Sequence, residues 1–168
     1  MISEAAQTRV LDEIDEARYE SLRRGIIILK GPFQAGKSLV LNRYLEWHHL
    51  NKNEVLINVN LYLLERLKKD HADSKPQLSS LAKLKSRARN LFSKYLNECF
   101  ELHFQHHDLL VLDAVEIAFK YDINLVRLVY PYSRDGNITL ISMPDDETGG
   151  FSFNWTYGLT KIINLASR

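Results

Sequence analysis

The sequence has few of the features that mark secreted or membrane proteins. It contains one cysteine, Cys99, which excludes an internal disulfide and suits a reducing compartment. No run approaches the roughly 18 apolar residues that a membrane-spanning helix needs. The first residues also lack a basic segment followed by an apolar core. We therefore expect a cytoplasmic protein without membrane association.

An excess of charge of one sign is also lacking. The chain has 22 Lys and Arg against 21 Asp and Glu, so its net charge is +1 at pH 7. No overall field therefore indicates a nucleic-acid or membrane binder. The length of 168 residues suits one domain. Within it we interpret residues 1–24 as an N-terminal helix, 25–150 as the core and 151–168 as a C-terminal strand and tail.

One glycine-containing segment matches the pattern G-x-x-x-x-G-K-[S/T] in full. It follows the apolar run Ile26 to Leu29 and precedes apolar residues at helical spacing. A strand, a loop and a helix in this order predict a phosphate-binding loop, or P-loop. The alternative is a tight glycine turn before an amphipathic helix. The predicted nucleotide contacts are Gly31, Pro32, Phe33, Gln34, Ala35, Gly36, Lys37, Ser38 and Leu39.

The residue types in this segment suit a polyphosphate. Backbone N–H groups of such a loop point at phosphate oxygens, and Lys37 would reach the β- and γ-phosphates. The Ser38 hydroxyl would ligate Mg²⁺ at the start of a helix whose dipole favours an anion. We therefore predict ATP or ADP with Mg²⁺ as the ligands.

The rest of the chain alternates between strand and helix patterns. The predicted strands are 26–30, 54–60, 108–113, 137–143 and 160–165, and the predicted helices are 3–24, 38–50, 61–69, 77–104 and 122–132. Such alternation is typical of an α/β protein. We expect a three-layer αβα P-loop NTPase domain with a mostly parallel five-stranded sheet, in the order 5-1-4-3-2.

A second motif suits the same kind of site. Four apolar residues, Leu109 to Leu112, end in the acid Asp113, which is the Walker B pattern. Many buried strands end in Asp, but this one lies about 75 residues after the predicted P-loop. Ligands of open α/β sheets bind at the carboxyl ends of the strands. We therefore expect Asp113 to lie beside Ser38 and to share the Mg²⁺ ion.

Catalysis also needs a group that orients water. In many P-loop ATPases a Glu directly follows the Walker B Asp, but here the residue is Ala114. Glu116 is the nearest acid and our candidate base; the alternative is a surface or helix-capping carboxylate. Ser142 is either a sensor of the γ-phosphate or an ordinary strand-end serine. Arg134 is either an arginine finger for a neighbouring subunit in a homo-oligomer or an ordinary turn residue. The predicted catalytic residues are Lys37, Asp113, Glu116 and Arg134.

The long predicted helix 77–104 carries a basic face. Its residues are Lys83, Lys85, Arg87, Arg89 and Lys94, with no acid before Glu98. Such a face can contact a DNA backbone. A solvated face that balances acidic charge elsewhere is the commoner explanation, and we prefer it.

A short pattern in the second half of the chain is shared with a known family. It consists of Asp-x-x-Glu-Ile-x-Phe at 113–119, a helix, Ser133-Arg134, and the strand 138–143 followed by Pro144. With the P-loop and the Asn-Val-Asn end of the second strand, it resembles BrxF, the small P-loop protein family of certain BREX (bacteriophage exclusion) systems. The resemblance covers roughly residues 25 to 150. The chain departs from it at Ala114, at Met143, and after Gly150.

The resemblance implies a cytoplasmic bacterial ATPase that acts with other BREX proteins in defence against phage. We therefore expect ATP binding with hydrolysis, which the missing Glu at position 114 would make slow or dependent on a partner. Two other functions stay open. One is a scaffold that binds ATP without turnover, and the other is a kinase for a small molecule.

Overall fold

Five parallel strands form the centre of the protein. The structure is a computed structural model that describes residues 3–20, 25–70, 81–145 and 160–165, with the side chains of the long helix described from residue 84. The strands are β1 Gly25–Lys30, β2 Leu56–Asn58, β3 Leu109–Asp113, β4 Ile138–Met143 and β5 Thr160–Asn164. They form one sheet in the order β2-β3-β4-β1-β5, and every pair is parallel. The α/β class and the predicted strand order, which is this order in reverse, are both confirmed.

Seven helices accompany this sheet in the described part of the chain. They are α1 Glu4–Tyr19, α2 Lys37–Trp47, α3 Lys52–Val55, α4 Val59–Asp70, α5 Leu81–His103, α6 Glu116–Lys120 and α7 Leu125–Val129. Ser3 caps α1, because its side chain accepts a hydrogen bond from the Ala6 N–H at 3.4 Å. None of these helices is both long and apolar enough to cross a membrane.

The helices cover both faces of the sheet. In β1, Ile26 and Ile28 pack into the core formed with α4, α5, α6 and α7. The alternate residues Ile27 and Leu29 pack into the core formed with α1 and α2. Side chains alternate between the two faces of a strand, so a strand with helices on both sides is apolar throughout. This explains why the run 26–29 is uninterrupted.

The second predicted strand is too long. The predicted strand 54–60 contains only three strand residues, Leu56–Asn58. Before them, the Asn51 side chain accepts from the Asn53 N–H and starts α3. After them, the Asn58 side chain accepts from the Leu61 N–H, where α4 begins. Asparagine side chains therefore end the extended backbone on both sides.

Other predicted boundaries are also corrected. The first helix was predicted through residue 24 but ends at Tyr19, because the C-cap residue Glu20 has extended backbone. The helix predicted over 122–132 begins only at Leu125, because Asn124 caps it by accepting from the Arg127 N–H. Helix α6 was not predicted at all. Three predicted features lie outside the described residues. They are the start of the long helix at residue 77, residues 146–150 of the predicted core and most of the tail 151–168.

Candidate functional site

A cavity of about 280 Å³ opens at the carboxyl ends of β1, β3 and β4. Because these strands are parallel, their carboxyl ends share one edge of the sheet, where ligands of open α/β proteins bind. The cavity is lined by Phe33, Gln34, Gly36, Lys37, Ser38, Leu39, Asp113, Ala114, Val115, Glu116, Ser142 and Pro144. The structure therefore brings together the loop after β1 and the predicted residues after β3 and in β4.

The loop after β1 needs glycine at both of its ends. Gly36 has φ +88°, in the left-handed region that favours glycine. A Cβ atom at Gly31 would lie 2.9 Å from the carbonyl oxygen of Leu165, so only glycine fits there without movement of that segment. The two glycines thus shape a tight turn that leads directly into α2.

Helix α2 begins at the floor of the cavity. Its first closing hydrogen bond runs from the Val40 N–H to the Gly36 carbonyl at 3.0 Å. The N–H groups before Val40 have no preceding turn of helix to bond to, and Gly36 has no side chain to cap them. With the helix dipole they favour an anion at this end of the cavity.

Lys37 is the lysine of the cavity lining. Its Nζ donates to the carbonyl oxygens of Gly31 at 2.6 Å and Pro32 at 2.7 Å. An ammonium group has three N–H donors, so one remains for another acceptor. Burial lowers the pKa of Lys37, and the carboxylates of Asp113, Asp145 and Glu116 oppose that shift. A bound anion would oppose it further, because it favours the charged amine.

Asp113 and Ser38 line the same cavity from two directions. Asp113 is the last residue of β3 and lies opposite Asn58 in the register of β2, while Ser38 is in the first turn of α2. Among the described residues, no group of three or more His, Cys, Asp and Glu side chains is arranged to hold a metal ion. Two protein oxygens nevertheless suit Mg²⁺, which commonly keeps waters and binds phosphate oxygens besides one or two protein ligands.

The chain turns sharply between Asp113 and Glu116. Ala114 has φ +51°, which is uncommon for a residue with a side chain. Glu116 follows as the first residue of α6 and lines the cavity. Its Oε2 accepts from Asn60 Nδ2 at 2.6 Å. This turn brings Glu116 to the cavity that Asp113 also lines.

The sequence did not predict a role for Asn60. It lies in the first turn of α4, and its side chain bonds to residues 116 and 117. The only feature of the sequence that could have indicated it is the pair Asn58 and Asn60 at the end of the second predicted strand. Nothing in local periodicity connects that pair to Glu116, which lies 56 residues later.

Of two further predicted site residues, Ser142 lines the cavity and Arg134 does not. Ser142 is buried near the end of β4 and lines the cavity. Arg134 lies in the turn before β4, with its side chain 65% exposed and its Nε 3.5 Å from Asp135 Oδ2. The six residues of β4 separate the two edges of the sheet by roughly 20 Å. Arg134 is therefore far from the cavity of its own chain.

The basic face of α5 is partly paired with acids. Lys85 lies 2.7 Å from Asp122 Oδ2, and Lys94 lies 3.8 Å from Glu98 Oε1. Arg87 is exposed, as is Arg89, and the side chain of Lys83 lies outside the described part of the chain.

A second cleft, of about 540 Å³, lies between α4 and α5. It contains the one cysteine, but burial raises the pKa of the Cys99 thiol to about 11, so the nucleophilic thiolate is scarce at neutral pH. Its Arg66 is paired with Glu98 at 2.9 Å. The first cavity is therefore the better candidate for chemistry.

The chain matches no model of a known protein family, and no curated protein sequence is significantly similar to it. Inference about function consequently depends on the residues of the cavity and on their geometry.

Proposed function

We propose that this protein is a P-loop NTPase domain that binds ATP with Mg²⁺ and hydrolyses it. One observation carries the proposal: most of the loop from Phe33 to Leu39 lines the same cavity as Asp113 and Glu116, although these residues are distant in sequence. A chance match to the P-loop pattern would not require an acid-ended strand and a second carboxylate at the same edge of the sheet.

Each part of the cavity has a role in this proposal. The backbone of residues 31–39 and the amine of Lys37 bind the phosphates, and Ser38 with Asp113 ligates Mg²⁺. Ser142 contacts the γ-phosphate from β4. The first turn of α2 and the Lys37 amine together supply the positive charge that a triphosphate needs.

Glu116 orients the attacking water in the proposed reaction. The water oxygen forms a bond to the γ-phosphorus, and the bond between that phosphorus and the β–γ bridging oxygen breaks. The electron pair of the broken bond leaves with ADP, and the proton of the water passes to the Glu116 carboxylate. Most of the acceleration in such transfers comes from positioning and charge stabilisation.

The resemblance to BrxF supports a wider role. We propose that the protein is a cytoplasmic subunit of a bacterial BREX-type system that acts against phage, together with other BREX proteins. The support is the short pattern from Asp113 to Arg134. Genes for a large methyltransferase and a phosphatase-like protein beside this one are the expected finding, and their absence would contradict the role.

A second candidate function has its own support. Ala114 stands where many ATPases carry the catalytic Glu, which favours a scaffold that binds ATP without turnover. Such a scaffold would bind ATP and Mg²⁺ through the same residues.

Calorimetry and phosphate release together test the proposal. We expect ATP with Mg²⁺ to bind, and phosphate to appear without an added acceptor. Glu116→Gln should lower kcat by about 10²-fold or more and leave the ATP dissociation constant nearly unchanged. The matched control is Glu65→Gln, an exposed carboxylate of α4. Binding without phosphate release indicates the scaffold, release only with an added acceptor indicates a kinase, and the absence of binding contradicts the proposed site.

A further inference from the structure

Asn60 joins the start of α4 to the turn that follows β3. Its backbone N–H donates to the Ala114 carbonyl at 2.9 Å. Its side-chain Nδ2 donates to Glu116 Oε2 at 2.6 Å, and its Oδ1 accepts from the Ile117 N–H at 2.8 Å. One residue therefore contacts three of the four residues from 114 to 117.

The chemistry of these contacts determines how the Asn60 amide is oriented. A backbone N–H can only donate, so the amide atom that faces Ile117 must be the oxygen. The NH₂ group is then directed to the Glu116 carboxylate, which can accept from it. An aspartate at position 60 could still accept the hydrogen bond from the Ile117 N–H, but it would place a second carboxylate against Glu116.

Glu116 needs such support in order to hold one position. It is exposed, and it is the first residue of a helix of only five residues. A free glutamate side chain populates several rotamers. The turn at Ala114 has an unfavourable backbone conformation that neighbouring contacts must maintain. Asn60 supplies a hydrogen bond to both features.

We propose that Asn60 is a positioning residue for Glu116 in ATP hydrolysis, which depends on the function proposed above. Asn60 occupies Oε2 of the carboxylate and holds the group at the rim of the cavity. Oε1 is then left to accept the proton of the attacking water. Asn60 itself does not line the cavity, so we expect it to act on the rate of reaction and not on ATP affinity.

Two variants separate positioning from folding. Asn60→Ala removes both side-chain contacts, whereas Asn60→Asp retains the size of the side chain and the acceptor for Ile117. The matched control is Asn58→Ala, which removes the bond to the Leu61 N–H at the start of the same helix without a contact to Glu116. We expect both Asn60 variants to lower kcat at least tenfold, with ATP dissociation constants within about twofold of wild type. We expect Asn58→Ala to have little effect on kcat.

A double-variant comparison gives the decisive result. In a Glu116→Gln background, Asn60→Ala should cause no further loss in single-turnover rate, because Asn60 acts through the carboxylate. A full tenfold loss in that background overturns the proposal, as does a wild-type kcat in Asn60→Asp. Wild-type protein that binds ATP but releases no phosphate also overturns the positioning role, while the nucleotide site stands. Failure of wild type to bind ATP contradicts the proposed site itself.

Discussion

Replacement of Lys37 by alanine should weaken ATP binding by about 100-fold or more and leave the fold intact. In the structure the Lys37 amine donates to the carbonyls of Gly31 and Pro32. Removal of the side chain costs these two bonds, but water can replace the donors at the rim of an open cavity. The cost of burying the ammonium disappears at the same time. We therefore expect the free energy of unfolding to change by less than about 1 kcal/mol without ATP.

The effect with ATP is larger and can be calculated. At 100 times the dissociation constant, a ligand stabilises the native state by about 2.7 kcal/mol. For a domain of this size that corresponds to a rise in Tm of roughly 5–11 °C. If Lys37→Ala weakens binding 100-fold, the same ATP concentration stabilises the variant by only about 0.4 kcal/mol. The expected Tm rise then falls to roughly 1–2 °C.

Thermal unfolding with and without ATP and Mg²⁺ measures both quantities. Lys52→Ala, at an exposed lysine of α3, is the matched control and should keep the full shift. An equal ATP-dependent shift in wild type and Lys37→Ala would refute the assignment of the phosphate site. A large fall in the Tm of ligand-free Lys37→Ala would refute the expectation that its two carbonyl contacts contribute little to the fold.

The same lysine predicts a dependence of binding on pH. Burial lowers the pKa of Lys37 from its ordinary value, and bound phosphates would raise it again. The ligand-free protein therefore loses this proton at a lower pH than the complex. ATP affinity should fall as pH rises through the lowered pKa, and binding there should take up a proton. Lys37→Arg, whose side chain stays charged, should lack that alkaline fall.

Three further predictions concern Asp113, Ala114 and His103. Asp113→Ala should lose the Mg²⁺-dependent part of ATP affinity, so calorimetry should show a smaller effect in EDTA than in Mg²⁺; equal losses would indicate a structural role. Ala114→Val should lower the free energy of unfolding by at least about 1–2 kcal/mol, because a β-branched residue fits poorly at φ +51°. Ala114→Gly should not lower it, and denaturant unfolding of the two variants measures the difference. Burial lowers the pKa of His103, against the opposing hydrogen bond to the Leu109 carbonyl. The unfolded chain then takes up a proton as pH falls below about 6.5 before the native protein does, so stability is lost in that range. His103→Gln should reduce this acid-dependent loss, and the exposed His106→Gln should not.

The predictions that rest on local patterns agree best with the structure. Uninterrupted apolar runs predicted β1 and β3 nearly to the residue, because strands covered on both faces have no polar side. Two of the boundaries that were wrong lie at asparagines. Asn58 and Asn124 cap helices through their own side chains, and whether an asparagine caps a helix or lies in a strand depends on the backbone around it.

The sequence predicted contacts between distant residues only where two known motifs, the P-loop and the Walker B pattern, belong to the same kind of site. The patterns placed Asp113 near Ser38, and both line the cavity. No such pattern places Arg134 relative to the cavity, and the parallel sheet puts it at the opposite edge. The contact of Asn60 with Glu116 likewise had no signal in spacing or periodicity.

The sequence by itself determined the local elements and the residue types at the candidate site. A run of isoleucines, a loop between two glycines and an amphipathic helix follow from side-chain size, backbone freedom and hydrophobic periodicity within about 25 residues. The tertiary structure alone decided how Glu116 is held. That contact depends on the register of β2 against β3 and on the turn at Ala114, which place Asn60 beside a carboxylate 56 residues away. Register results from packing across the whole sheet, so no short stretch of sequence contains it.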